Sequence, residues 1–469
     1  MNYKNEKLEE FEEYIKNKKV AVIGMGVSNI PLLDYMQNKG AKVTVFDKRT
    51  IEKIDKLVIE KILNYNMEMS FGDNYLTKLN GFDIIFRSPS CRPDTKELVE
   101  EQERGAIVTS EIEMLMKLTP STVIGVTGSD GKTTTTSLIY EIIKEKGYKC
   151  FLGGNIGIPL FTKVGEMKPE DVVILELSSF QLMDMDISPN ISVITNITPN
   201  HLDIHKCYDE YIESKANIFK FQNKNNILVL NYDNEITKDF SKQAESKVVF
   251  FSSKAKLENG IIYDDGIIKS CEDGIRRHII NSKSTHLRGI HNAENICAAI
   301  AATESLVDVE SQIKAITNFK GVEHRIEFIK EINGVKWYND SIASSPTRTI
   351  AGLNSFEEKI VLIAGGYDKH LDYTPLAKPI LEHVSALILI GETSKKILSA
   401  VKEELKIQNK SLDIYQCETL EQTVDIAYKI AQKGEIVFFS PASASFDMFK
   451  NFEERGNKFK ELVNNIVTN

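Results

Sequence analysis

The sequence predicts an α/β protein of three domains: an N-terminal Rossmann-like domain, a central domain with a P-loop ATPase-like parallel sheet, and a C-terminal Rossmann-like domain. Three observations carry the prediction. Apolar, β-rich runs alternate with stretches of helical period along the chain, the pattern of βαβ units. Two of these runs, KKVAVIGMG at Lys18–Gly26 and STVIGVTGSDGKT at Ser121–Thr133, enter glycine-bearing turns that open onto helices. Polar residues then collect at or just after the carboxyl ends of the runs, the rim where open α/β sheets hold ligands. The chain has 469 residues, room for about two to four domains. The expected boundaries are 1–113, 114–320 and 321–469.

Hydrophobic residues at 42% and charged residues at 27% describe an ordinary soluble globular protein. The net charge of −9 argues against a broad nucleic-acid surface, so anionic substrates must be met by local basic residues and helix N-termini. Six scattered cysteines (Cys91, Cys150, Cys207, Cys271, Cys297, Cys417) show no metal-type or redox pairing and suit a reducing cytosol. The start, MNYKNEKLEEFEEY, lacks the apolar core of a signal peptide. No apolar run approaches the ~20 residues of a membrane span. The expectation is a cytoplasmic protein without membrane insertion.

In the first segment, the strand ending at Gly24-x-Gly26 is followed by a helix pattern over Ser28–Lys39 and a strand, Ala41–Phe46, ending at Asp47. Asn29 stands where a dinucleotide fingerprint has its third glycine, which weakens an NAD reading. A nucleotide-diphosphate ligand fits better, its pyrophosphate at the helix N-terminus. Val27 and Ser28 belong to that turn, and Asp47, Lys48 and Arg49 are placed to read ribose, base and phosphate. A strand over Phe82–Phe86 leads to a second loop on the same rim, Arg87-Ser88-Pro89.

The central segment is organised by Ser121–Tyr140. Gly125, Gly128 and Gly131 allow close approach of backbone to an anion, and the amides at the helix start point at a phosphate. Gly128, Ser129, Asp130, Gly131, Lys132, Thr133 and Thr134 make the expected ATP loop, with Lys132 on the β/γ-phosphates and Thr133 on Mg²⁺. Val126 stands where the general P-loop has glycine. After the loop come FLGGNIGIPL, which presents Asn155, and the buried strand DVVILEL at Asp171–Leu177, which carries Glu176 near its end. A carboxylate there is costly without a cation, and Mg²⁺ is the economical partner. Ser178, Ser179 and Gln181 continue the polar rim. His201 follows the next strand, Ile191–Ile197, in a metal, substrate or structural role. In the helix Tyr208–Phe221, Lys215 falls on the apolar stripe of Tyr208, Tyr211, Ile212, Ile218 and Phe219. It is either a surface-seeking lysine or an inward one whose charge is disfavoured and whose neutral amine can take up CO₂. Short strands with turn signals over 247–290 read as hairpins. Asn292 and Asn295 then lie three apart on a helix start, as adenine ligands or as a cap and a solvated neighbour.

In the last segment, Phe319–Arg325 reads as a linker ending in Arg325, a phosphate clamp by geometry. The strand Val335–Tyr338 leads to Asn339-Asp340-Ser341 and a helix start at Ser344-Ser345-Pro346. The strand Lys359–Ala364 leads to Gly365-Gly366-Tyr367-Asp368-Lys369. The strand Glu435–Phe439 leads to Ser440–Ser445, after which a helix is expected.

The ATP loop resembles that of the Mur ligases and folylpolyglutamate synthases. The N-terminal turn, the Asp47-Lys48-Arg49 triplet, the His291-Asn292-x-x-Asn295 motif, NDSIASSP and GGYDK extend the likeness to Mur ligases along the whole chain. SPASASFDMFKNFEERGNKF at Ser440–Phe459 is similar to the C-terminal signature of the branch that adds D-glutamate. The resemblance implies an ATP- and Mg²⁺-dependent amide-forming ligase of peptidoglycan synthesis, a monomer acting on a UDP-sugar peptide, UDP-MurNAc-L-alanine. It implies Lys132, Glu176, His201 and Lys215 as catalytic residues, with Thr133, Glu176, His201 and a carbamylated Lys215 around the metal. Asn292, Asn295, Arg325 and Asp340 would complete the ATP site. Val27, Ser28, Asp47, Lys48, Arg49, Ser88, Asn155, Ser179 and Gln181 would bind the UDP substrate. Ser344, Lys369, Ser445, Phe446 and Phe452 would bind D-glutamate. The chain departs from the family at Ser90, where Ser-Pro-Gly is usual, and at Ile342, often lysine. A folate ligase lacks the nucleotide-type first domain, and a nucleotide-sugar sensor without catalysis would not need the full set of metal and acceptor residues.

Overall fold

The computed structural model describes residues 3–199, 205–369 and 371–466. They form three sheets. The first is wholly parallel, ordered Glu68–Phe71, Lys42–Asp47, Lys19–Ile23, Ile84–Arg87, Ile107–Thr109. The chain winds outward in both directions from Lys19–Ile23, so a ligand crevice opens between the ends of Lys19–Ile23 and Ile84–Arg87. There Gly24, at φ +87°, passes so close to Ser88 that a Cβ would lie 2.6 Å from its Oγ.

The second sheet has nine strands. Seven run parallel: Cys150–Gly154, Val172–Glu176, Thr122–Thr127, Ile191–Ile194, Ile227–Asn231 and Lys247–Ser252 in that order, with Gly260–Asp264 beside the last. A hairpin of Gly260–Asp264 and Ile267–Glu272 extends it, and Ile275–Asn281 forms the outer edge. The expected Asp265-Gly266 turn is present, both residues at positive φ as a tight hairpin requires. The edge strand exposes Ile275, Arg276, Arg277 and His278.

The third sheet is ordered Glu327–Ile332, Val335–Asn339, Ile436–Phe439, Ile360–Ala364, Val384–Ile390, Asp413–Cys417, with only the first pair antiparallel. By contacts the chain divides into two compact units: residues 1–280 with 294–316, and residues 281–293 with 317–469. The first two sheets therefore belong to one unit, and the 281–293 segment packs with the third sheet. Among the described residues no helix is long and apolar enough to cross a membrane.

Three local expectations shift. The helix read over Ser28–Lys39 runs Ile30–Asn38, because Asn29 is buried and its side chain donates to the carbonyls of Ile23 and Gly24 at 2.9 and 3.1 Å. Gly125 is no part of the phosphate loop. It lies within Thr122–Thr127, where a Cβ would meet Pro189 Cγ at 2.4 Å, so its smallness serves packing. No helix follows Ser445 directly; the next is Phe452–Asn464, capped by Asn451. Ser443, just before this segment, is held by buried hydroxyls, 2.8 Å from both Tyr373 OH and Thr393 Oγ1.

The first two sheets share a hydrophobic core that includes Leu33, Phe86, Phe161, Leu175 and Tyr211. Phe161 sits at its centre, edge-on to Phe11, Tyr35 and Phe86. Its backbone is fixed by Glu111, whose Oε1 accepts from the amides of Leu160 and Phe161 at 3.0 and 2.7 Å. Burial pushes the Glu111 carboxyl up to about 7, against the pull of those two amides. A folded-state value above the unfolded one contributes stability fully at low pH and loses it as pH rises through the folded value. We therefore expect the first unit to lose roughly 3 kcal/mol of this contribution between about pH 5 and pH 8. Urea unfolding across that range should show the slope, and Glu111→Gln should flatten it.

Candidate active site

The phosphate-type loop turns between Thr122–Thr127 and the helix Lys132–Glu145. Gly128 and Gly131 have φ of +149° and +79° and admit no side chain: a Cβ on Gly128 would lie 1.9 Å from Thr195 Oγ1, and one on Gly131 2.3 Å from Asn295 Oδ1. Val126, by contrast, is fully buried in the strand, so this loop begins two residues later than the general pattern. The strand end beside it holds the loop down. Ser129 N donates to Asn196 O, Asp130 N to Asn196 Oδ1, and Thr195 Oγ1 to Asp130 O. Ser129 Oγ is also 2.9 Å from Tyr211 OH. Lys132 Nζ donates to the Gly128 and Ser129 carbonyls. Thr133 is half-buried and Thr134 buried in the helix's first turn.

Lys215 approaches the same loop from within. It is 1% exposed, donates to Gly128 O at 2.8 Å and Thr127 Oγ1 at 3.2 Å, and lies over the Tyr211 ring. Burial, then the neighbouring charge of Lys132, hold its ammonium pKa well below the usual lysine range. Of the two readings of its place on the apolar stripe, the inward one is realised and the surface-seeking one is not. Glu176, at the end of Val172–Glu176, is 1% exposed. Its Oε1 accepts from Asn155 Nδ2 at 2.9 Å, while its Oε2 is buried with no hydrogen-bond partner. An orphaned carboxylate oxygen beside a phosphate-type loop fits a hard cation. Among the described residues no group of three or more metal-ligating side chains is assembled. His201 lies outside the described residues.

On the N-terminal rim, Asp47 and Arg49 bind each other. Asp47 accepts from Met25 N at 2.7 Å and from Arg49 N, Nε and Nη2 at 2.8 to 3.0 Å, and Arg49 also donates to Met25 O. Burial alone would raise the Asp47 carboxyl; the Arg49 side chain and the two amides outweigh it and hold it below the usual range. The pair thus braces the Gly24–Gly26 turn. Val27 and Lys48 are exposed, and Ser28 and Ser88 half-buried. Asn155 is exposed beside Glu176, whereas Ser179 and Gln181 are buried. Gln181 closes a capping box with Ser178, and Ser179 Oγ is 2.9 Å from His205 Nε2.

The sequence reading assigned no role to His205 or Arg92. His205 stacks on Phe180, meets Tyr211 edge-on, and has Nδ1 3.4 Å from Glu210 Oε2. Glu210 is paired with Arg92 at 2.7 and 3.2 Å, which holds its carboxyl down at about 2. The loop bearing Ser88 is thereby tied to the segment bearing Ser179. The unusual Cys91-Arg92-Pro93 after Ser88 was the available signal.

Asn292 and Asn295 are buried at the start of the helix Ile290–Thr303. Asn292 Nδ2 donates to Arg288 O, and Asn295 Oδ1 accepts from Thr135 Oγ1.

In the second unit, Arg325 stands between His324 and Ile326, at φ +63° and +44°. Such a φ is strained for a β-branched residue. Asp340 holds this bend: Oδ1 accepts from Ile326 N and Oδ2 from Ser440 Oγ, and burial pushes the carboxyl up to about 7. Ser445 is buried, Ser344 and Phe452 half-buried, and Lys369 and Phe446 exposed. Lys369 Nζ lies 5.5 Å from the centroid of the Phe446 ring.

The comparisons can now be set beside this geometry. The profile of the Mur ligase MurD-like N-terminal domain matches residues 18–110, that of the Mur ligase middle domain residues 126–303, and that of the Mur ligase glutamate ligase domain residues 324–443. The chain is 51% identical to a UDP-N-acetylmuramoylalanine--D-glutamate ligase of Acetivibrio thermocellus over 98% of this chain and 99% of that protein. The chain belongs to the Mur ligase family. The UDP-N-acetylmuramoylalanine--D-glutamate ligase of Clostridium acetobutylicum is 50% identical over 97% of this chain and 98% of its own. Among solved structures, UDP-N-acetylmuramate-alanine ligase MurC of Thermotoga maritima shares the fold with a TM-score of 0.56 at 19% identity, covering 95% of this chain and 99% of its own. A UDP-N-acetylmuramoylalanyl-D-glutamyl-2,6-diaminopimelate--D-alanyl-D-alanyl ligase from Acinetobacter baumannii gives the same TM-score at 14% identity, covering 95% and 93%.

In this Mur ligase Gly128 leaves no volume for a methyl group. Gly128→Ala should cost the first unit at least about 2 kcal/mol by strain and overpacking and abolish nucleotide binding, as read by denaturant unfolding and by ATP titration.

Proposed function

We propose that the chain is an ATP-dependent ligase that joins D-glutamate to UDP-N-acetylmuramoyl-L-alanine, a cytoplasmic step of peptidoglycan biosynthesis and so of cell-wall formation. The observation that carries this reading is the likeness, 50% and 51% identity over 97% and 98% of the chain, to UDP-N-acetylmuramoylalanine--D-glutamate ligases. The reaction proceeds in two displacements. The alanyl carboxylate attacks the γ-phosphorus of ATP, the bond to the ADP oxygen breaks, and an acyl phosphate forms. The amine of D-glutamate attacks the acyl carbon, phosphate leaves with the bonding pair, and the amine loses its proton.

Each part of the chain has a task in this scheme, which asks for positioning and charge neutralisation rather than covalent help. The amides at the start of the helix Lys132–Glu145 and the Lys132 ammonium meet the β/γ-phosphates. Asn292, Asn295, Arg325 and Asp340 take the rest of the nucleotide. The Gly24–Ser28 turn, Asp47–Arg49 and Ser88 hold the uridine diphosphate, with Asn155, Ser179 and Gln181 toward the peptide end. Lys369, Ser344, Ser445, Phe446 and Phe452 receive D-glutamate. Thr133, Glu176, His201 and Lys215 would hold Mg²⁺, which when bound supplies positive charge to the phosphate oxygens. Lys215 is suited to carbamylation: its neutral amine adds to CO₂ and releases a proton, leaving a carboxylate-like anion beside Glu176.

The deciding assay is ADP release with Mg²⁺, ATP and UDP-MurNAc-L-alanine, comparing D-glutamate, L-glutamate, other amino acids and none. Release should require both the nucleotide sugar and D-glutamate. Release with a different amino acid would keep the family and refute the substrate. For Lys215, ¹³C-bicarbonate should give a carbamate signal that Lys215→Ala lacks; no signal, with full activity in Lys215→Ala, would refute the carbamate.

A further inference from the structure

Arg455 lies on the helix Phe452–Asn464 and is 2% exposed. No carboxylate is hydrogen-bonded to it. Its guanidinium instead gathers loop oxygens: Nε donates to Ser341 Oγ at 3.0 Å, Nη1 to Ala444 O at 2.8 Å, and Nη2 to Ser341 O and Ser443 O at 2.8 and 3.1 Å. Gly366 passes so near that a Cβ there would lie 3.1 Å from Nη1. Each of these contacts is close in sequence to a residue proposed for D-glutamate. Ser341 shortly precedes Ser344, Gly366 shortly precedes Lys369, and Ser443-Ala444 leads directly into Ser445-Phe446. Phe452 begins the helix that carries Arg455. One fork therefore ties two loops to one helix and passes close to a third loop.

A buried charge without a counter-charge is costly, and carbonyl dipoles alone repay it poorly. Burial lowers the Arg455 pKa to about 10, so it remains a cation at neutral pH. Among the described residues Asp447 is the acid whose field reaches it, with no hydrogen bond between the two, and burial raises the Asp447 carboxyl. A scaffold alone could be built from neutral donors. A cation offset only by an acid it does not touch, behind a substrate site, acts on whatever charge the substrate brings, and does so strongly where water is excluded.

We propose that Arg455 is a specificity-determining residue: its fork aligns the amino-acid loops, and its charge, only partly offset by Asp447, selects an amino acid with a second carboxylate. This rests on the D-glutamate reading above. It differs from a plain structural role because a clamp would serve acidic and neutral amino acids alike.

The test compares D-glutamate with D-glutamine, which keeps the α-carboxylate and lacks the side-chain charge, as substrates or competing ligands. The wild type must first turn over with D-glutamate; use of a neutral amino acid instead would refute the functional reading itself, before any variant is made. Arg455→Lys and Arg455→Met should both raise KM for D-glutamate, with KM for ATP and the nucleotide sugar within about twofold of wild type. Arg455→Lys should preserve the D-glutamate to D-glutamine preference, whereas Arg455→Met should reduce it at least tenfold, weakening D-glutamate far more than D-glutamine. An equal loss for both amino acids in Arg455→Met would overturn the proposal. Should the methionine variant not fold, Asp447→Asn replaces it: removing the opposing acid should raise the preference about twofold to fivefold, and an unchanged preference would overturn the proposal.

Discussion

Two side chains that water would hold more cheaply, Lys215 and Glu176, are buried beneath one glycine-bearing loop, and much of the central domain is arranged to make that tolerable. The Gly128 carbonyl and the Thr127 hydroxyl accept from Lys215, and the Tyr211 ring lies against it. Asn155 satisfies one oxygen of Glu176 and leaves the other aimed inward. The two groups feel each other's field without forming an ion pair. A protein seeking only stability would pair them or replace them with apolar residues. Keeping them apart and dry preserves a place where phosphate, a cation and an amine can be brought to bear on one another.

Much of this was legible in the sequence. Lys132 was marked by its motif, whereas helical period put Lys215 on an apolar stripe and left open whether it faced inward or reached for the surface. Glu176 was legible because a carboxylate ending an apolar run stands out. What escaped depended on neighbours distant in sequence. Gly125 looked like part of the anion loop until Pro189 appeared against it. Asp47 and Arg49 looked like ligand readers, and the structure shows them also bracing each other and the turn. Asn29 looked like a defect in a glycine fingerprint, yet its side chain makes the bonds that close the turn. Arg455 gave no signal because its partners are backbone carbonyls, which any residue can supply.

The second unit shows the same preference for held tension. His324 and Ile326 adopt backbone conformations costly for their side chains, on either side of Arg325. Asp340 accepts the Ile326 amide and is itself forced toward neutrality by burial. Buried hydroxyls bridge Tyr373, Ser443 and Thr393, with Gly366 N donating to Thr393 Oγ1. These contacts join the loops at the carboxyl ends of several strands, so that a displacement at one would be felt at the others.

The outer strand of the nine-stranded sheet has a bearing on life in a crowded cell. An open sheet edge offers unpaired amides and carbonyls to any other extended chain. Here the edge, Ile275–Asn281, carries Arg276, Arg277 and His278 outward, and its neighbour contributes Lys269, paired with Asp264. A second copy approaching edge to edge would have to strip water from exposed arginines and from the ion pairs Arg277–Glu272 and Lys269–Asp264. The hairpin can thus lengthen the sheet and cover its core without becoming a template for fibrous self-association.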